Sequence, residues 1–589
     1  MIWKISLLCT IGVIGISIVL ALLVDKVHGR KFFSPLTMMF GGVFVAGMIL
    51  FYPIYFETYK SEFMGILKSL LASFYSTLDL FKVDNAFVVF WEAAQNLDGG
   101  LRSVYEIVGT VITIFAPVLT FGVVLSVFGN FLSYQKYLIH FFSDAYIFSE
   151  LNEKSLALAE SIRKSDDKCM LIFTNIYTKN DKELEKLCES AKVLGAVCFR
   201  KNLNNIQFQY HSSESTIHFV VIGKDETENV AKTLKLVDQY RDYSNVRIDV
   251  FAKKIESELL LKTADKGKIK IVRRINEVQM LVSGLLYETG HKIFECAIEQ
   301  GEEKLIKAVV VGAGQYGMEM ARTLPWFCQM PGYRFEMDLI DTAGDIRERF
   351  EMLCPELMSS KYNGAKIDGE PDYTIRVHEG IDVNASSFRK LLEQIGTPSY
   401  VFVCLGEDAQ NVKTATDIRA FFATSQFQPR IQAVMYNSER KEALYYAKCN
   451  DNQNTQSYAI DFVGDMKELY SKETMFQSEV EAQGLQRHLK WGEESSFWMH
   501  EYNYRSSIAS AIHYKMKLAC KIPYADVQPE NRPEKERNTL RKLEHCRWSA
   551  YMRSEGYTYG EVRNDLAKKH PCLVPYHCLS EKDQAKDDV

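Results

Sequence analysis

Residues 306–324, IKAVVVGAGQYGMEMARTL, combine a buried-type strand, a glycine-rich turn and the start of a helix. Gly312, Gly314 and Gly317 have the GxGxxG spacing, and apolar residues run up to the turn. In a parallel α/β sheet the first glycine permits the turn, the second lets a phosphate approach the backbone, and the third lets helix and strand pack closely. The stretch therefore predicts a nucleotide-binding lobe.

An acidic residue ends the next predicted strand. The apolar run 335–340 is followed by Asp341, 24 residues after Gly317, where such folds place an acid on the ribose hydroxyls. Further strands are predicted at 375–377, 400–405 and 430–436, with Gly406-Glu407-Asp408 after the fourth strand. We expect this lobe to span residues 304–465 and to bind NAD(H) or another adenine nucleotide at Gly312, Gly314, Gly317 and Asp341. The alternative is a Rossmann-like lobe that binds no nucleotide and serves only in the assembly of the protein.

A similar pattern without the glycines precedes this lobe. Short apolar runs alternate with amphipathic helices, which predicts a parallel sheet with strands at 145–148, 169–173, 196–199, 218–222, 246–251 and 268–272. The first strand leads into Ser149-Glu150-Leu151-Asn152-Glu153, which contains no glycine. Residues 142–300 are therefore predicted to have the fold without the usual cofactor.

Three long apolar segments precede both lobes. Residues 5–24, 32–56 and 107–135 carry no charge and are each long enough to cross a bilayer. The turn with Lys26, Arg30 and Lys31 is basic, whereas residues 57–106 hold four Lys/Arg against seven Asp/Glu. The positive-inside rule then places the N-terminus outside and everything after the third span in the cytoplasm. We expect a three-helix domain over 1–135 in the cell inner (plasma) membrane, in contact with lipid.

The external segment 57–105 is not a plain loop. Residues 63–81 are apolar at helical spacing but too charged to span alone, which predicts a re-entrant or interfacial helix. No TVGYG filter occurs, so either a pore of unknown selectivity or a simple anchor fits the sequence.

Composition excludes some classes of function. The formal net charge is −5, so no basic excess points to nucleic acid. The 13 cysteines are scattered without a CxxC pair or a Cys/His cluster at zinc-ligand spacing, so no metal is predicted.

The C-terminal part, residues 479–589, contains a predicted helix from 534 to about 554. It places Glu544, Arg547, Trp548 and Tyr551 on one arc of about 100°. Such an arc suits a structural clasp of an ion pair between aromatic rings. It also suits a ligand platform on which Trp548 or Tyr551 stacks on a base while Arg547 takes a phosphate.

The residues after this helix resemble a known family. LEHCRW (543–548), GYTYG (556–560) and HPCLVPY (570–576) occur in the order and spacing of the RyR domain, the repeat named after ryanodine receptors, over about 503–588. Tyr557 stands where the family often has Trp. The resemblance implies a small all-α module that binds a nucleotide-derived messenger of the cyclic-nucleotide or ADP-ribose type. The messenger-binding residues are then Glu544, Arg547, Trp548, Tyr551, Tyr557, Tyr559 and Tyr576.

A second resemblance rests on element order. A membrane bundle followed by a Rossmann-like lobe and a strand–helix extension resembles the RCK (TrkA-N type) regulatory domains of potassium channels and transporters. It implies a homo-oligomeric ring, a tetramer by family analogy. The expected architecture is thus a membrane α-helical bundle, two α/β Rossmann-like RCK lobes and a RyR-like domain.

The combined expectation is a membrane effector or ion channel gated by a messenger at the RyR-like domain, in prokaryotic antiphage defence. One alternative is a potassium channel or uptake regulator controlled by NAD(H) or ATP at the lobes. Another is a receptor that tethers a partner at the membrane. A membrane NAD-dependent oxidoreductase fits least, because no catalytic constellation accompanies the glycines, and we expect no enzyme.

Overall fold

The computed structural model describes residues 1–588 except 27–34, 83–85, 140–142, 177–181, 207, 209–214, 255–256, 258–259, 262–263, 426 and 451–459. The chain divides into two compact units, Met1–Ile139 and His140–Val589.

The first unit is entirely helical in its described part. Its helices are α1 (Ile2–Lys26), α2 (Pro35–Tyr59), α3 (Gly65–Lys82), α4 (Ala86–Ala94) and α5 (Gly99–Ile139). Three stretches are long and apolar enough to cross a membrane, namely Ile2–Leu20, Met38–Tyr59 and Gly99–Phe121. The three predicted apolar helices are confirmed. The basic turn used to predict their orientation includes Arg30 and Lys31, which lie outside the described residues.

Helix α5 begins earlier than its uncharged stretch, which was predicted to start at 107. Arg102 Nε donates to Glu106 Oε1 at 2.8 Å, one turn further along the helix. Such i,i+4 ion pairs stabilise exposed helical turns. The apolar-run criterion therefore detects only the part of the helix that carries no charge.

Helix α3 has the reverse of the polarity expected in a water-soluble protein. Ser69, Ser73 and Thr77 are buried, and each hydroxyl donates to a backbone carbonyl one turn earlier at 2.7 Å. The exposed side instead carries Ile66, Leu67, Leu70, Leu71 and Phe74. A contiguous apolar face of this kind is typical of a surface that contacts a membrane or a partner. Its predicted interfacial or re-entrant placement stays a prediction.

The second unit begins with a six-stranded parallel sheet, the first lobe. Its strands are β1 (Ala145–Phe148), β2 (Met170–Phe173), β3 (Val197–Cys198), β4 (Ile217–Val221), β5 (Val246–Phe251) and β6 (Ile271–Ile275), and its helices are α6 (Glu153–Ser165), α7 (Lys182–Val193) and α8 (Glu226–Tyr240). The order is β3-β2-β1-β4-β5-β6, which is the order of Rossmann-like sheets.

The last strand of this sheet lies three residues later than predicted, at Ile271–Ile275 rather than 268–272. Arg273 is buried there because its guanidinium donates to Asp249 at 2.9 Å and also to Glu481. A buried arginine interrupts the apolar run on which the prediction rested.

The second lobe repeats the same sheet order. Helices α9 (Glu277–Thr289) and α10 (His291–Glu295) lead to strands β7 (Ile298–Gln300), β8 (Glu303–Val311), β9 (Tyr333–Ile340), β10 (Tyr373–His378), β11 (Tyr400–Val403), β12 (Arg430–Val434) and β13 (Ile460–Val463). The path is β10-β9-β8-β11-β12-β13, all parallel, with β7 antiparallel to β8. Its helices are α11 (Gln315–Phe327), α12 (Ile346–Leu353), α13 (Pro355–Met358), α14 (Ser386–Ile395), α15 (Asp408–Phe421) and α16 (Ser438–Asn450).

The C-terminal part is mostly helical. Its elements are α17 (Met466–Leu469), α18 (Lys472–Phe476), α19 (Glu479–His488), α20 (Glu494–Met499), α21 (Glu501–Ala519), α22 (Glu534–Ser554), the short pair β14 (Thr558–Tyr559) and β15 (Lys569–His570), and α23 (Glu581–Gln584).

Two shared cores join these parts. Helix α9 leaves the first sheet and packs in one core with α11, α21 and α22, through Val282, Leu286, Leu324, Ile512 and Tyr551. Conversely, Leu469, Tyr470 and Met475 of the C-terminal part pack in the core of the first lobe. The lobes and the C-terminal helices therefore form one body in which each part contacts the other two.

Candidate functional site

The turn between β8 and α11 needs its three glycines for different reasons. Gly312 has φ +101°, and a β-carbon there would lie 2.5 Å from the carbonyl oxygen of Cys404. A β-carbon on Gly317 would collide with the carbonyl oxygen of Gly312. Gly314, by contrast, is the N-cap of α11, and no atom lies within 4 Å of its would-be β-carbon. Open space therefore lies where a phosphate can approach the N-terminus of the helix.

Asp341 lies at the end of β9 and supports this turn. Its Oδ2 accepts from the backbone N–H of Ala313 at 2.6 Å, and its Oδ1 accepts from the N–H of Ala343 at 2.9 Å. The carboxylate thus ties the glycine turn to the residues after β9. A ribose hydroxyl at this position would share Oδ1 with Ala343.

A cavity of about 440 Å³ opens over the glycine turn. Its size lies within the roughly 300–1,000 Å³ of small-molecule sites. Its wall includes Gly314, Gln315, Tyr316, Asp341, Leu405, Gly406 and Gly464, which follow the carboxyl ends of the second sheet's strands. Ligands of open α/β sheets bind at this edge.

The opposite wall comes from the first lobe, which the sequence did not assign to this site. Lys154 lies at the start of α6, Lys253 follows β5, and Glu277 begins α9; all three line the cavity. Lys154 Nζ donates to Glu277 Oε1 at 2.9 Å, and Lys253 Nζ lies 3.1 Å from Glu277 Oε2. Lys253 Nζ also donates to Oε1 of Gln315, the first residue of α11, at 3.1 Å. The two lobes therefore build this cavity together.

Glu277 is buried and stays ionised. Burial alone would raise the pKa of its carboxyl group, but Lys154, Lys253 and the hydroxyl of Tyr470 lower that pKa below its ordinary value. Two ammonium groups thus share one carboxylate beside the positive end of the α11 dipole. The local charge favours a ligand with a phosphate group at this wall.

A second cavity of about 490 Å³ lies at the carboxyl ends of the first sheet and shares Lys154, Lys253 and Glu277 with the first. Its turn after β1 is closed by side chains rather than opened by glycines. Ser149 Oγ accepts from the N–H of Ile222 at 2.9 Å, and Asn152 Nδ2 donates to the carbonyl of the same residue. The backbone N–H groups of Asn152 and Ser155 donate to each other's side chains at 2.9 Å in a capping box, so they are not presented to a ligand as the N-terminus of α11 is at Gly314.

The predicted C-terminal residues do not share one open surface. Glu544 and Arg547 form a buried ion pair in which Arg547 Nη2 donates to Glu544 Oε1 at 2.7 Å. Burial would raise the pKa of Glu544, but Arg547 and Lys517 lower it to about 2. Tyr551 is buried one turn further along α22, with its ring centroid 6.0 Å from that of Trp326. These three residues face the interior of the unit.

The other predicted aromatic residues point elsewhere. Trp548 packs edge-on against His570, with 4.9 Å between the ring centroids. Tyr557 is buried and its hydroxyl donates to Asp565 at 3.4 Å. Tyr576 lies beside His545, at 5.9 Å between centroids, and Tyr559 is exposed.

Helix α22 docks on the second lobe. The buried Arg553 donates to Glu370 Oε2 at 2.7 Å, and its guanidinium lies 3.6 Å from the ring centroid of Tyr362. In the neighbouring helix α21, His513 Nε2 lies 2.6 Å from the carbonyl oxygen of Gln329. The C-terminal helices are therefore anchored to the lobe that carries the glycine turn.

A third cavity, of about 390 Å³, lies where the three parts meet. Its wall includes Gln279 of α9, Arg322 of α11, Arg505 of α21, and Tyr551 and Glu555 at the end of α22. Arg505 pairs with Glu555, which lies 3.9 Å from Arg322. The helix that starts at the glycine turn therefore reaches the C-terminal helices through this cavity.

Residues 521–588 match the family model of the RyR domain. The match confirms the C-terminal part of the resemblance and includes all seven predicted messenger-binding residues. A search among curated proteins found no match.

Proposed function

We propose that this chain is a membrane effector whose second unit binds a nucleotide-derived ligand and thereby controls ion flow or membrane integrity. The observation that carries the proposal is the 440 Å³ cavity over Gly312–Gly317, with open space at Gly314 and two lysines on the opposite wall. The phosphates would lie at the N-terminus of α11, and the ribose near Asp341.

In this proposal, Lys154 and Lys253 couple ligand binding to a movement of the lobes. Lys154 and Lys253 belong to the first lobe and pair with Glu277, which also belongs to it. A phosphate bound at α11 would compete with Glu277 for both ammonium groups. Ligand binding would then change how the two lobes contact each other. The ligand would therefore bind the two arrangements of the lobes with different affinities, which gating requires.

The membrane part of the proposal rests on the three apolar helices of the first unit. We propose that they cross the cell inner (plasma) membrane with the N-terminus outside, so that the second unit is cytoplasmic. Only residues 140–144 separate α5 from β1, and so short a link transmits movement better than a long flexible one. By analogy with RCK proteins, we propose a homo-oligomeric ring.

The RyR domain is a second candidate for the trigger, and it favours a messenger in antiphage signalling over a housekeeping nucleotide. The hydroxyl of Tyr551 is buried without a hydrogen-bond partner among the described residues, and Tyr551 lines the 390 Å³ cavity. A ligand there would contact α9, α11 and α22 together. With the trigger at the glycine turn instead, the chain would be a potassium channel or uptake regulator controlled by NAD(H) or ATP.

The test places the purified chain in liposomes that hold a fluorescent ion reporter. Cyclic nucleotides, ADP-ribose derivatives, NAD and ATP are added in turn to the wild type, to two variants and to one control for each variant. Gly314→Asp fills the open space of the glycine turn with a negative charge, and Gly344→Asp, which also meets no neighbouring atom, is its matched control. Arg547→Ala combined with Trp548→Ala changes the RyR domain, with the exposed Trp491→Ala as its control.

Flux that is lost only in Gly314→Asp would place the trigger at the glycine turn. Flux that is lost only in the RyR variant would place it in the C-terminal domain. Ligand binding without flux in any sample would refute the effector proposal and leave a membrane-tethered receptor.

A further inference from the structure

Three cationic side chains are buried together between α19, α21 and α22. Arg487, Lys517 and Arg547 are 6%, 3% and 2% exposed. Arg547 donates to Glu544 Oε1, and Lys517 Nζ lies 3.5 Å from Glu544 Oε2. No carboxylate of the described residues lies within ion-pair distance of Arg487. Its Nε donates to Ser510 Oγ at 3.0 Å, and its guanidinium lies 4.4 Å from the ring centroid of Tyr514.

The charges in this cluster do not balance. Arg547 and Lys517 both contact Glu544, and the one other largely buried carboxylate near Arg547 among the described residues, Asp587, pairs with His545. His513 Nδ1 lies 4.0 Å from Glu544 Oε2, but burial and Lys517 lower the pKa of His513 to about 3, so it is neutral at neutral pH. Burial lowers the pKa of Lys517 to about 8, and Arg487, Arg547 and Arg532 add to that effect while Glu544 opposes it. A net positive charge is therefore held away from water.

Two N–H groups of the cluster also lack acceptors. Arg547 Nη1 and Arg487 Nη2 are buried and have no hydrogen-bond partner among the described residues. Native proteins rarely leave such groups unsatisfied, and an uncompensated buried charge is strongly destabilising. An oxyanion would supply both oxygen acceptors and negative charge, whereas a water molecule supplies only the first.

We propose that Arg487, Lys517 and Arg547 bind a phosphate-type oxyanion. Guanidinium groups match the spacing of phosphate oxygens, and charge-assisted hydrogen bonds of this kind are the strong ones. Arg487 and Lys517 lie before the matched RyR region at 521–588, so the site is completed by helices that precede that domain. The inference deepens the second candidate trigger of the proposed function. The oxyanion is either a resident inorganic phosphate or the phosphate of a nucleotide-derived messenger.

The experiment measures how inorganic phosphate shifts the thermal unfolding of the full chain in detergent, against chloride at the same ionic strength. Arg487→Met removes one cation without touching the Glu544–Arg547 pair, and the exposed Arg389→Met is its matched control. Phosphate is expected to raise the melting temperature of the wild type and of Arg389→Met. Its affinity for Arg487→Met is expected to be about tenfold weaker, the effect of losing one charge-assisted hydrogen bond.

Glu544→Gln keeps the test decisive where Arg487→Met does not fold. Removing the competing carboxylate is expected to strengthen phosphate binding, a change that loss of structure does not produce. Phosphate that stabilises the wild type no better than chloride, or Arg487→Met as much as the wild type, would overturn the proposal and assign water to the two N–H groups.

Two further measurements distinguish a resident phosphate from the phosphate of a messenger. They also distinguish failure of this oxyanion site from failure of the proposed effector function. Phosphate released from the protein as purified, on acid denaturation, would identify a resident ion. Its absence, with AMP or ADP-ribose binding that Arg487→Met weakens, would identify the messenger's phosphate. Phosphate binding without ligand-gated flux would refute the proposed effector function but support this oxyanion site. Ligand-gated flux without an effect of phosphate would support the effector function and refute this site.

Discussion

Replacing Glu277 with glutamine tests two effects of this carboxylate: it stabilises the contact between the lobes, and it competes with a ligand phosphate for the two lysines. Glutamine keeps the shape but removes the negative charge that Lys154 and Lys253 share. Hydrogen bonds to charged groups contribute about 1.5–3 kcal/mol each. Lys154 is 44% exposed and Lys253 is 31% exposed, so solvent screening reduces both contributions to the low end or below. We expect a total loss of about 2 kcal/mol and a fall of a few degrees in melting temperature.

Ligand affinity is expected to change in the opposite direction. The two ammonium groups that Glu277 no longer holds become available to a phosphate at α11. We expect ATP to bind Glu277→Gln about tenfold more tightly, equivalent to about 1.4 kcal/mol. Adenosine, which has no phosphate, is expected to bind the variant and the wild type equally. Calorimetric titration of both ligands measures the two effects.

The matched control is Glu228→Gln. Glu228 also pairs with a lysine, Lys232, at 3.1 Å, but its side chain is largely exposed. We expect neither stability nor ATP affinity to change in this control. A Glu277→Gln variant that binds ATP more weakly than the wild type would refute the competition between Glu277 and phosphate for the lysines.

Three other outcomes are expected, all by thermal or denaturant-induced unfolding in detergent. Gly317→Ala should destabilise the chain by about 1–3 kcal/mol because its β-carbon meets backbone. Gly314→Ala should cost less, because its β-carbon meets no atom and only the N-cap preference for glycine over alanine is lost; equal effects would contradict the packing described for the turn. Arg553→Met breaks a buried ion pair and should cost about 3–5 kcal/mol, whereas the exposed Arg389→Met should cost almost nothing; a small loss in Arg553→Met would show that water reaches the pair. His513 has a folded-state pKa of about 3 against about 6.5 unfolded, so the unfolded chain binds the extra proton between these values. His513 should therefore contribute a fall in stability of about 1.4 kcal/mol per pH unit below about pH 6.5, and His513→Gln should reduce the total slope by that amount. An unchanged slope would mean that His513 is already protonated in the folded chain.

The strands of both lobes were largely predictable from the sequence. A strand buried on both faces of a parallel sheet forms a continuous apolar run, and β1 and β5 begin and end at the predicted residues. The prediction shifted at β6, where Arg273 is buried through ion pairs with distant residues. Local hydrophobicity cannot predict the burial of a charged residue whose ion-pair partners are distant in the sequence.

The glycine side of the candidate site was also predictable, whereas its opposite wall was not. The three glycines and Asp341 are close in sequence and belong to one strand–turn–helix pattern. Lys154 and Glu277 are 123 residues apart, and Lys253 contacts α11 of a different lobe. The residues of this wall depend on how the two lobes pack against each other. No local sequence pattern predicts that packing.

The C-terminal helix shows a different limit. Of the four residues on its 100° arc, Glu544, Arg547 and Tyr551 face the interior, whereas Trp548 packs against His570. Whether that face meets water depends on the neighbours, and here α21 and the second lobe cover it. Periodicity gives the grouping of side chains but not their exposure.

The reversed polarity of α3 bears on how the first unit is made in the cell. Its hydroxyls donate to backbone carbonyls within the helix and lie against α2, where Ser69 Oγ also contacts the carbonyl oxygen of Tyr55 at 3.1 Å. Leu67, Leu70, Leu71 and Phe74 remain exposed, whereas Leu80 near the end of the helix is buried. With the first unit in a membrane, as we propose, we expect that a segment of this kind does not leave the translocation channel as a free hydrophilic loop. We expect it to partition with α2 as a helical hairpin, which would place the stretch between the second and third apolar helices in contact with lipid.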